Sequence, residues 1–369
     1  MTENFIIKGG IPLSGTVEIS GYKNAGGAVL AAALLTDGNS LIDNLPLTSD
    51  ILNQIKMLEK MGAKVEWLEK NKIKINTKNV NPEKISPELF GKSRVSVLML
   101  GPLLAKFKKI KTPRPGGDKI GIRPIDTHLL AFKDFGVKIK EENGFYLLEA
   151  PIKLKGKKII LKEFSVTATE NLMMLAVLAQ GKTIIEIAAA EPQVQNLGKM
   201  LISMGANIKG AGSHTIEIEG VKKMSGAKHS ICPDPLETGA FMIAIAMTGG
   251  EGIIKNTCPE HLTFFLEKMK EVGINFKTIA KQQKFGTGEI LIRHSGNFKA
   301  AKIQALPYPG FPTDLQPHTS VLLTQAKGKS LVHEPLYENR FLYMQELRKM
   351  GADIELTDPH RALIFGKKE

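Results

Sequence analysis

A single charged loop holds the side chains of this sequence with the widest choice of chemistry. It reads KTPRPGGDKIGIRPIDTH over residues 111–128, and its prolines and glycines disfavour regular structure. Its charged or titratable side chains include Arg114, Asp118, Lys119, Arg123, Asp126 and His128. Long, glycine-rich, charged loops usually bind ligands or close over a site, and a solvated excursion is the alternative. We therefore expect 111–124 to be a mobile loop that carries Asp118 over an anionic ligand.

Two cations outside the loop stand at the start of predicted helices. Lys23 and Asn24 lie in a glycine-flanked turn directly before the segment AGGAVLAAALL. Backbone N–H groups at a helix start, together with a lysine, favour a phosphate or carboxylate, although a simple turn and cap would look the same. Arg94 begins the apolar segment RVSVLMLGPLLA, where the helix dipole disfavours a cation. Such an arginine is held either for an anionic ligand or by a nearby carboxylate.

Three segments place carboxylates at helix starts. Asp314 follows the rigid approach YPGFPT, which would hold a carboxylate in place to act on a substrate. In PDPLETG, the spacing of Asp234 and Glu237 is typical of a capping box, so we interpret both as structural. SVTATEN, with Thr167 and Glu170, is typical of a helix cap and could also face a ligand.

Composition narrows the choice of cofactor and partner. Cys232 and Cys258 form no CxxC pattern, and no Cys/His spacing suits zinc, so we expect reduced structural cysteines and no cofactor or metal. The net charge of +13 suits phosphorylated small molecules, an acidic surface or simply a solvated lysine-rich surface. Aromatic residues that could stack on bases are scarce, so we expect no nucleic-acid partner.

Hydropathy and the amino terminus predict a cytoplasmic protein with no membrane partner. The apolar run at 97–105 is about half the roughly 20 residues that span a bilayer. MTENFIIKGG lacks the basic start and apolar stretch of a signal peptide. The oligomeric state is left open by the sequence.

Five copies of one structural unit would position these residues. Each copy reads as an apolar helix, a short β-branched strand, a polar turn, an amphipathic helix and two strands. The amphipathic helices end at shared glycines: Gly62, Gly136, Gly205, Gly273 and Gly351. A unit of about 70 residues with an open apolar face cannot stand alone, so the copies must pack together.

The chain length of 369 residues predicts two domains, because single cores rarely grow so large. Three copies group in a domain over 22–232. Residues 1–21 and 233–369 would form a second domain with two copies. The predicted fold is α/β, built from repeated β-α-β-α-β-β units.

Seven segments, in order along the whole chain, resemble the enolpyruvyl transferases that act on UDP-N-acetylglucosamine. They are SGYKNAGGA, RPGGDKIGIRPIDTH, SVTATEN, AAAEP, PDPLETG, FPTD and YENRF. The resemblance implies an inside-out α/β barrel of six units in two domains, of which five are present here. It also implies transfer of enolpyruvyl from phosphoenolpyruvate to the 3′-hydroxyl of the sugar nucleotide by addition and elimination, without metal. This is the first committed step of peptidoglycan synthesis, and so serves cell wall growth, cell shape and cell division.

The resemblance also assigns site residues. Lys23 and Asn24 match the phosphoenolpyruvate site, with Lys23 also catalytic, and Arg94 matches an arginine of the shared substrate site. Asp314 matches the carboxylate that touches the acceptor hydroxyl and would act as base. The sugar-nucleotide contacts would be Arg123, Pro124, Ile125, Asp126, Thr127, Glu163, Phe164, Ser165, Val166, Asp314 and Leu336.

Three departures from the family pattern bear on catalysis. Asp118 stands where most of the family has Cys as proton donor. A free carboxyl is ionised at neutral pH, so loop closure must raise its pKa by about three units for it to donate. Glu163 stands where the family usually has Lys. The family continues for about one further unit, whose D-L-R motif and later arginine close around phosphoenolpyruvate.

Three other functions compete with this reading. A non-catalytic protein could bind the sugar nucleotide without turnover. The sister enzyme acting on shikimate 3-phosphate needs K-S-x-S-x-R and N-A-G-T-A-x-R segments, which the sequence lacks. RNA 3′-phosphate cyclases share related repeats but need a nucleotidylated histidine, and no histidine here has such a setting.

Overall fold

The computed structural model describes residues 6–116 and 124–367. The chain divides into two compact units, Ser20–Cys232 and Met1–Ile19 with Pro233–Glu369. We call these the three-copy unit and the two-copy unit, after the number of βαβαββ copies in each. The predicted boundaries, after residues 21 and 232, lie within two residues of the division between these units.

The three-copy unit contains most of the helices. The strand that precedes it, β1, is Ser14–Glu18. The first copy has α1 (Lys23–Ala32), β2 (Asn39–Asp43), α2 (Ser49–Met61), β3 (Lys64–Glu69) and β4 (Lys72–Asn76). The second has α3 (Pro87–Lys92), α4 (Leu100–Phe107), β5 (Lys109–Pro113), α5 (Asp126–Asp134), β6 (Lys138–Glu142) and β7 (Phe145–Glu149). The third has β8 (Lys158–Ile160), α6 (Val166–Ala176), β9 (Lys182–Glu186), α7 (Pro192–Ser203), β10 (Asn207–Lys209) and β11 (Thr215–Glu219), and β12 (Lys228–Ser230) follows it.

The two-copy unit repeats the same order of elements. Its first copy has α8 (Pro235–Met247), β13 (Glu251–Thr257), α9 (Thr263–Val272), β14 (Phe276–Ala280) and β15 (Gly288–Ile292). Its second has β16 (Lys302–Gln304), α10 (Gln316–Leu323), β17 (Lys329–His333), α11 (Leu342–Lys349), β18 (Asp353–Asp358) and β19 (Arg361–Phe365). Short 3₁₀ turns, Arg94–Met99 and Thr313–Leu315, lead into α4 and α10.

Sheet topology confirms that the five segments are copies of one unit. Four sheets share one order, in which a short parallel edge strand is followed by an antiparallel trio: β12-β2-β4-β3, β8-β9-β11-β10, β1-β13-β15-β14 and β16-β17-β19-β18. The remaining sheet, β5-β7-β6, has no such edge strand in the described ranges. All five shared glycines adopt positive φ, between 93° at Gly351 and 109° at Gly62. Only a residue without Cβ adopts that conformation cheaply, which explains why each amphipathic helix ends at a glycine.

Two edge strands pair with a strand of one unit, although the helix that follows each of them in sequence belongs to the other unit. β1 runs directly into α1 but pairs in parallel with β13 of the two-copy unit. β12 runs into α8 but pairs in parallel with β2 of the three-copy unit. Each of these strands therefore belongs to the unit whose sheet it completes, and the chain passes to the other unit directly after it.

The core of the three-copy unit is built from helices that are buried on every side. All residues in 25–35 and in 168–177 are buried, which includes nearly all of α1 and α6. Glycines allow the close packing: a Cβ at Gly101 of α4 would lie 2.3 Å from the carbonyl oxygen of Asn171 in α6. The Gly101 N–H donates to Asn171 Oδ1 at 2.6 Å, so this contact is also a hydrogen bond. None of the helices in the described part of the chain is both long and apolar enough to cross a membrane.

Candidate functional site

Lys23 is the first residue of α1 and forms an ion pair there. Lys23 Nζ lies 3.0 Å from Oδ2 of Asp50, in the first turn of α2, and both side chains are partly exposed. Asn24 Nδ2 donates to the Tyr22 hydroxyl at 3.1 Å. The sequence reasoning missed Asp50, because an acidic residue in a first helical turn looks like an ordinary dipole partner.

Arg94 connects the 3₁₀ turn before α4 with the end of the charged loop. Its Nη2 donates to the carbonyl oxygen of Pro124 at 2.8 Å. Ile125, the N-cap residue of α5, is buried, while Asp126 in the first turn is exposed. The Arg94 guanidinium is therefore held by the backbone of Pro124, a residue that the resemblance assigns to sugar-nucleotide binding.

Two hydrogen bonds join the starts of α5 and α6. The Thr127 hydroxyl donates to Glu163 Oε1 at 2.5 Å. His128 Nε2 lies 2.8 Å from the Thr167 hydroxyl. The sequence gave no sign of the Thr127–Glu163 contact, because the two residues lie 36 positions apart.

The segment 163–166 forms the entry to α6. Ser165 is its N-cap residue and Val166 its first helical residue, while Glu163 and Phe164 are exposed. The Phe164 ring lies 4.8 Å from the His214 ring, centroid to centroid. The structure thus brings Arg94, 124–127 and 163–166 together within the three-copy unit.

Two buried titratable groups, His128 and Glu170, lie in α5 and α6. Burial, reinforced by Arg94, lowers the pKa of His128 to about 3, so the ring is neutral at physiological pH. Burial, reinforced by Glu191, raises the pKa of the Glu170 carboxyl well above its usual value. Glu170 is only 1% exposed and cannot face a ligand directly, which corrects that alternative for SVTATEN.

The two-copy unit holds the second group of predicted site residues. Asp314 lies in the 3₁₀ turn before α10, and its Oδ1 accepts from Arg340 Nη2 at 2.5 Å. The neighbouring Thr313 hydroxyl donates to Oε2 of Glu334 at 2.6 Å. The Leu336 N–H donates to Oε1 of the same carboxylate at 3.0 Å. The fully buried Glu334 therefore holds Leu336 and also Thr313, the neighbour of Asp314.

Sequence reasoning missed both Arg340 and Glu334 as site residues. They lie in HEPLYENRF, of which only the part YENRF carries the family resemblance. In PDPLETG, the N-cap role of Asp234 is confirmed, since Asp234 Oδ1 accepts from the Leu236 and Glu237 N–H groups at 2.8 and 3.2 Å.

Some expectations fall outside what the structure describes. Asp118 and Arg123 lie outside the described residues, as does the central part of the charged loop. Within the described ranges, no group of three or more His, Cys, Asp or Glu side chains could hold a metal ion.

Repeated βαβαββ copies in two units, with Lys23 and Arg94 at helix starts, agree with the α/β enolpyruvyl transferase that the sequence resembles. The family model for EPSP synthase (3-phosphoshikimate 1-carboxyvinyltransferase) matches residues 7–366, so the chain belongs to this family. The resemblance seen in the sequence and the predicted α/β fold are both confirmed.

Individual relatives refine this placement. The UDP-N-acetylglucosamine 1-carboxyvinyltransferase of Halothermothrix orenii is 46% identical over 360 residues, which cover 98% of this chain and 84% of the relative. UDP-N-acetylglucosamine 1-carboxyvinyltransferase 3 of Caldanaerobacter subterraneus subsp. tengcongensis is 44% identical over 364 residues, 99% of this chain and 85% of the relative.

Solved structures agree on the fold. The enolpyruvyl transferase NikO from Streptomyces tendae matches with a TM-score of 0.84 at 20% identity, over 97% of this chain and 83% of that chain. EPSP synthase from Acinetobacter baumannii matches with a TM-score of 0.74 at 20% identity, over 97% of this chain and 83% of that chain.

Proposed function

We propose that this protein transfers the enolpyruvyl group of phosphoenolpyruvate to the 3′-hydroxyl of UDP-N-acetylglucosamine and releases phosphate. The observation that carries the proposal is the hydrogen-bonded cluster of Arg94, 124–127 and 163–166. These are the positions that the resemblance assigns to the substrate site and the sugar nucleotide. Relatives 40–46% identical to this chain are named for that reaction.

The phosphoenolpyruvate site is proposed at the start of α1. Lys23, held at 3.0 Å by Asp50, offers a cation to the phosphate, and Asn24 offers an amide donor. The free N–H groups of the first helical turn favour the same negative charge. Arg94 adds a second cation to the substrate site.

The sugar nucleotide would contact the starts of α5 and α6 in the three-copy unit. The contacts that the resemblance proposes are Arg123, Pro124, Ile125, Asp126, Thr127, Glu163, Phe164, Ser165, Val166, Asp314 and Leu336. Glu163, which stands where the family usually has Lys, is engaged by the Thr127 hydroxyl. That hydrogen bond keeps its carboxylate from turning freely toward a phosphate, which it would repel.

The reaction requires two proton transfers in its addition step. The Asp314 carboxylate accepts the proton of the 3′-hydroxyl as its oxygen attacks C2 of phosphoenolpyruvate. Asp118, in the place of the family Cys, gives a proton to C3. Loss of a proton from C3 then expels phosphate from C2 and restores the double bond.

The product would enter peptidoglycan synthesis, and we place the protein in the cytoplasm, where sugar nucleotides are made. Its role would then be in cell wall biogenesis, with consequences for cell shape, cell division and the cell cycle. Its partners would be the two small-molecule substrates, with no nucleic acid and no membrane among them.

The test is phosphate release by the purified chain with phosphoenolpyruvate and either acceptor. We expect release with UDP-N-acetylglucosamine and none with shikimate 3-phosphate. The reverse preference would contradict the proposal. Calorimetric binding of the sugar nucleotide without phosphate release would instead support the non-catalytic binding protein.

A matched pair of lysine variants ties activity to the helix start. Lys23→Met should raise KM for phosphoenolpyruvate and lower kcat, because the phosphate loses its cation. Lys72→Met is the control, since Lys72 pairs with Glu69 at the same 3.0 Å on the sheet of that copy. Equal kinetics for the two variants would show that Lys23 is not part of the phosphoenolpyruvate site.

A further inference from the structure

Asp314 is held by an arginine that is far more buried than the carboxylate itself. The Arg340 side chain is 11% exposed and the Asp314 side chain 47%. A guanidinium keeps its charge in proteins, so a buried one needs an acceptor. Arg340 Nη2 finds two, the Asp314 carboxylate at 2.5 Å and the Thr313 carbonyl oxygen at 3.0 Å.

The contact between Arg340 and Asp314 is end-on. One nitrogen meets one oxygen, and Arg340 Nε is buried without a hydrogen-bond partner among the described residues. Over the same ranges, Asp314 Oδ2 takes part in no hydrogen bond. A two-bond fork would have engaged both carboxylate oxygens. The end-on geometry fixes the carboxylate through Oδ1 and leaves Oδ2 open to a hydroxyl.

A buried carboxylate anchors the same turn from the other side. Glu334, which is 0% exposed, accepts the Thr313 hydroxyl, and its backbone N–H donates to the His360 carbonyl at 2.7 Å. The turn that carries Asp314 is thus held by Arg340 through a backbone carbonyl and by Glu334 through a side chain. Such support from neighbouring side chains is what keeps a catalytic group within a few tenths of an ångström of its working position.

We infer that Arg340 is a positioning residue for the reaction, which fixes the Asp314 carboxylate so that Oδ2 receives the acceptor proton. The inference rests on the proposed function, because Asp314 is the proton acceptor there. Arg340 acts through Asp314 and contacts neither substrate. Its removal should therefore slow the chemical step and leave binding of the sugar nucleotide nearly unchanged.

The first test compares two arginine variants of the same copy. Arg340→Met should lower kcat by roughly 10- to 100-fold, the effect of misplacing a reacting group by about 1 Å, while KM for UDP-N-acetylglucosamine changes less than about twofold. Arg340→Lys should recover part of the loss. Arg361→Met is the control, because Arg361 contacts Asp358 at 2.6 Å on an exposed surface. A rise in KM with kcat intact, or the same loss in the control, would overturn the inference.

A double-variant cycle separates positioning from a merely structural role. If Arg340 acts through Asp314, adding Arg340→Met to Asp314→Asn should cause no further loss of kcat. Independent, multiplicative losses would show that Arg340 acts elsewhere. Circular dichroism of all variants checks that each remains folded.

A crystal structure of Arg340→Met makes the inference testable apart from the proposed function. We expect the Asp314 carboxylate to leave its position while the Glu334–Thr313 hydrogen bond remains. An unmoved carboxylate would overturn the positioning role even if the enzyme is active. Conversely, absence of phosphate release by the unaltered protein contradicts the proposed function alone.

Discussion

The first helix of a copy is rich in apolar residues in both units, but its surroundings differ between the two units. In the three-copy unit, α6 packs against α4, α5 and α7 and is buried along almost its whole length. In the two-copy unit, α8 packs against α10, and one stripe of it is only partly buried. The stripe comprises Glu237, Ala240, Phe241, Ala244 and Met247.

The stripe on α8 has the spacing of a helix face, and α10 presents a similar one. Its residues are Pro317, His318, Val321, Thr324 and Gln325. A helix that is apolar all round is normally buried all round. The comparison teaches that burial in this fold depends on how many copies surround each first helix. Three copies give every first helix neighbours on two sides, whereas two copies leave one side open.

The largest difference in the free energy of unfolding is expected between two methionine variants, one in α6 and one in α8. Met173 in α6 is fully buried, and Met247 in α8 is partly buried. Met173→Ala should lower the free energy of unfolding by about 2–5 kcal/mol, and Met247→Ala by about 1 kcal/mol or less. Urea denaturation followed by circular dichroism measures both.

The single tryptophan of the chain, Trp67, lies in the three-copy unit and reports on that unit by fluorescence. The loss from Met173→Ala should appear in this signal. An equal cost for Met247→Ala would mean that the open face of α8 is covered in solution by another chain.

The next largest change in the free energy of unfolding is expected from replacing glycines at contacts between helices. A Cβ at Gly101 would meet the backbone carbonyl of Asn171 at 2.3 Å, whereas a Cβ at Gly239 of α8 would meet Leu315 Cδ1 at 2.5 Å. A backbone cannot yield as a leucine side chain can. Gly101→Ala should therefore cost about 3 kcal/mol of unfolding free energy or more, and Gly239→Ala about 1 kcal/mol. Similar losses for both variants would show that the two helix contacts are equally rigid.

Acid should weaken the three-copy unit through its buried histidines. Burial, with Arg94, lowers the pKa of His128 to about 3, and burial, with Lys199, lowers that of His229 to about 4. A lowered folded-state pKa contributes stability that is present above the unfolded value of about 6.5 and is lost as pH falls toward the folded value. As pH falls from 6.5 to 5.5, the lowered pKa of His128 should reduce the free energy of unfolding by about 1 kcal/mol. Urea denaturation followed by Trp67 fluorescence should give a free energy of unfolding that depends less on pH in His128→Gln than in the unaltered protein. The same pH dependence in both proteins would contradict a neutral buried His128 ring.

Glu170 should act with the opposite sign in the same unit. Its folded-state pKa is raised, so the stability it contributes is complete below the unfolded value of about 4.5 and is lost as pH rises. Relative to the unaltered protein, Glu170→Gln should therefore be more stable at pH 8 than at pH 5, because the amide cannot ionise. The same denaturation series measures it, and a gain independent of pH would show that ionisation is not the cause.

Much of the fold could be predicted because its signals are local. The apolar spacing of Ile51, Ile55 and Leu58 and the stop at Gly62 depend on residues within a few positions, and both recur in every copy. Lys23, Arg94 and Asp314 could be singled out for the same reason, as charged residues at helix starts. The difference in burial between α8 and α6 could not be predicted, because both helices are rich in apolar residues and the sequence does not show which neighbours cover them.

The sequence by itself determined the repeated unit, its helices and strands, and the charged residues placed at helix starts. Only the tertiary structure decided which side chains meet there, as Arg340 meets Asp314 across 26 residues and Thr127 meets Glu163 across 36. Helix and strand formation follow from backbone geometry and near neighbours, which the order of residues specifies. Contacts between elements follow from how the copies pack, and the sequence of one copy does not record what lies against it.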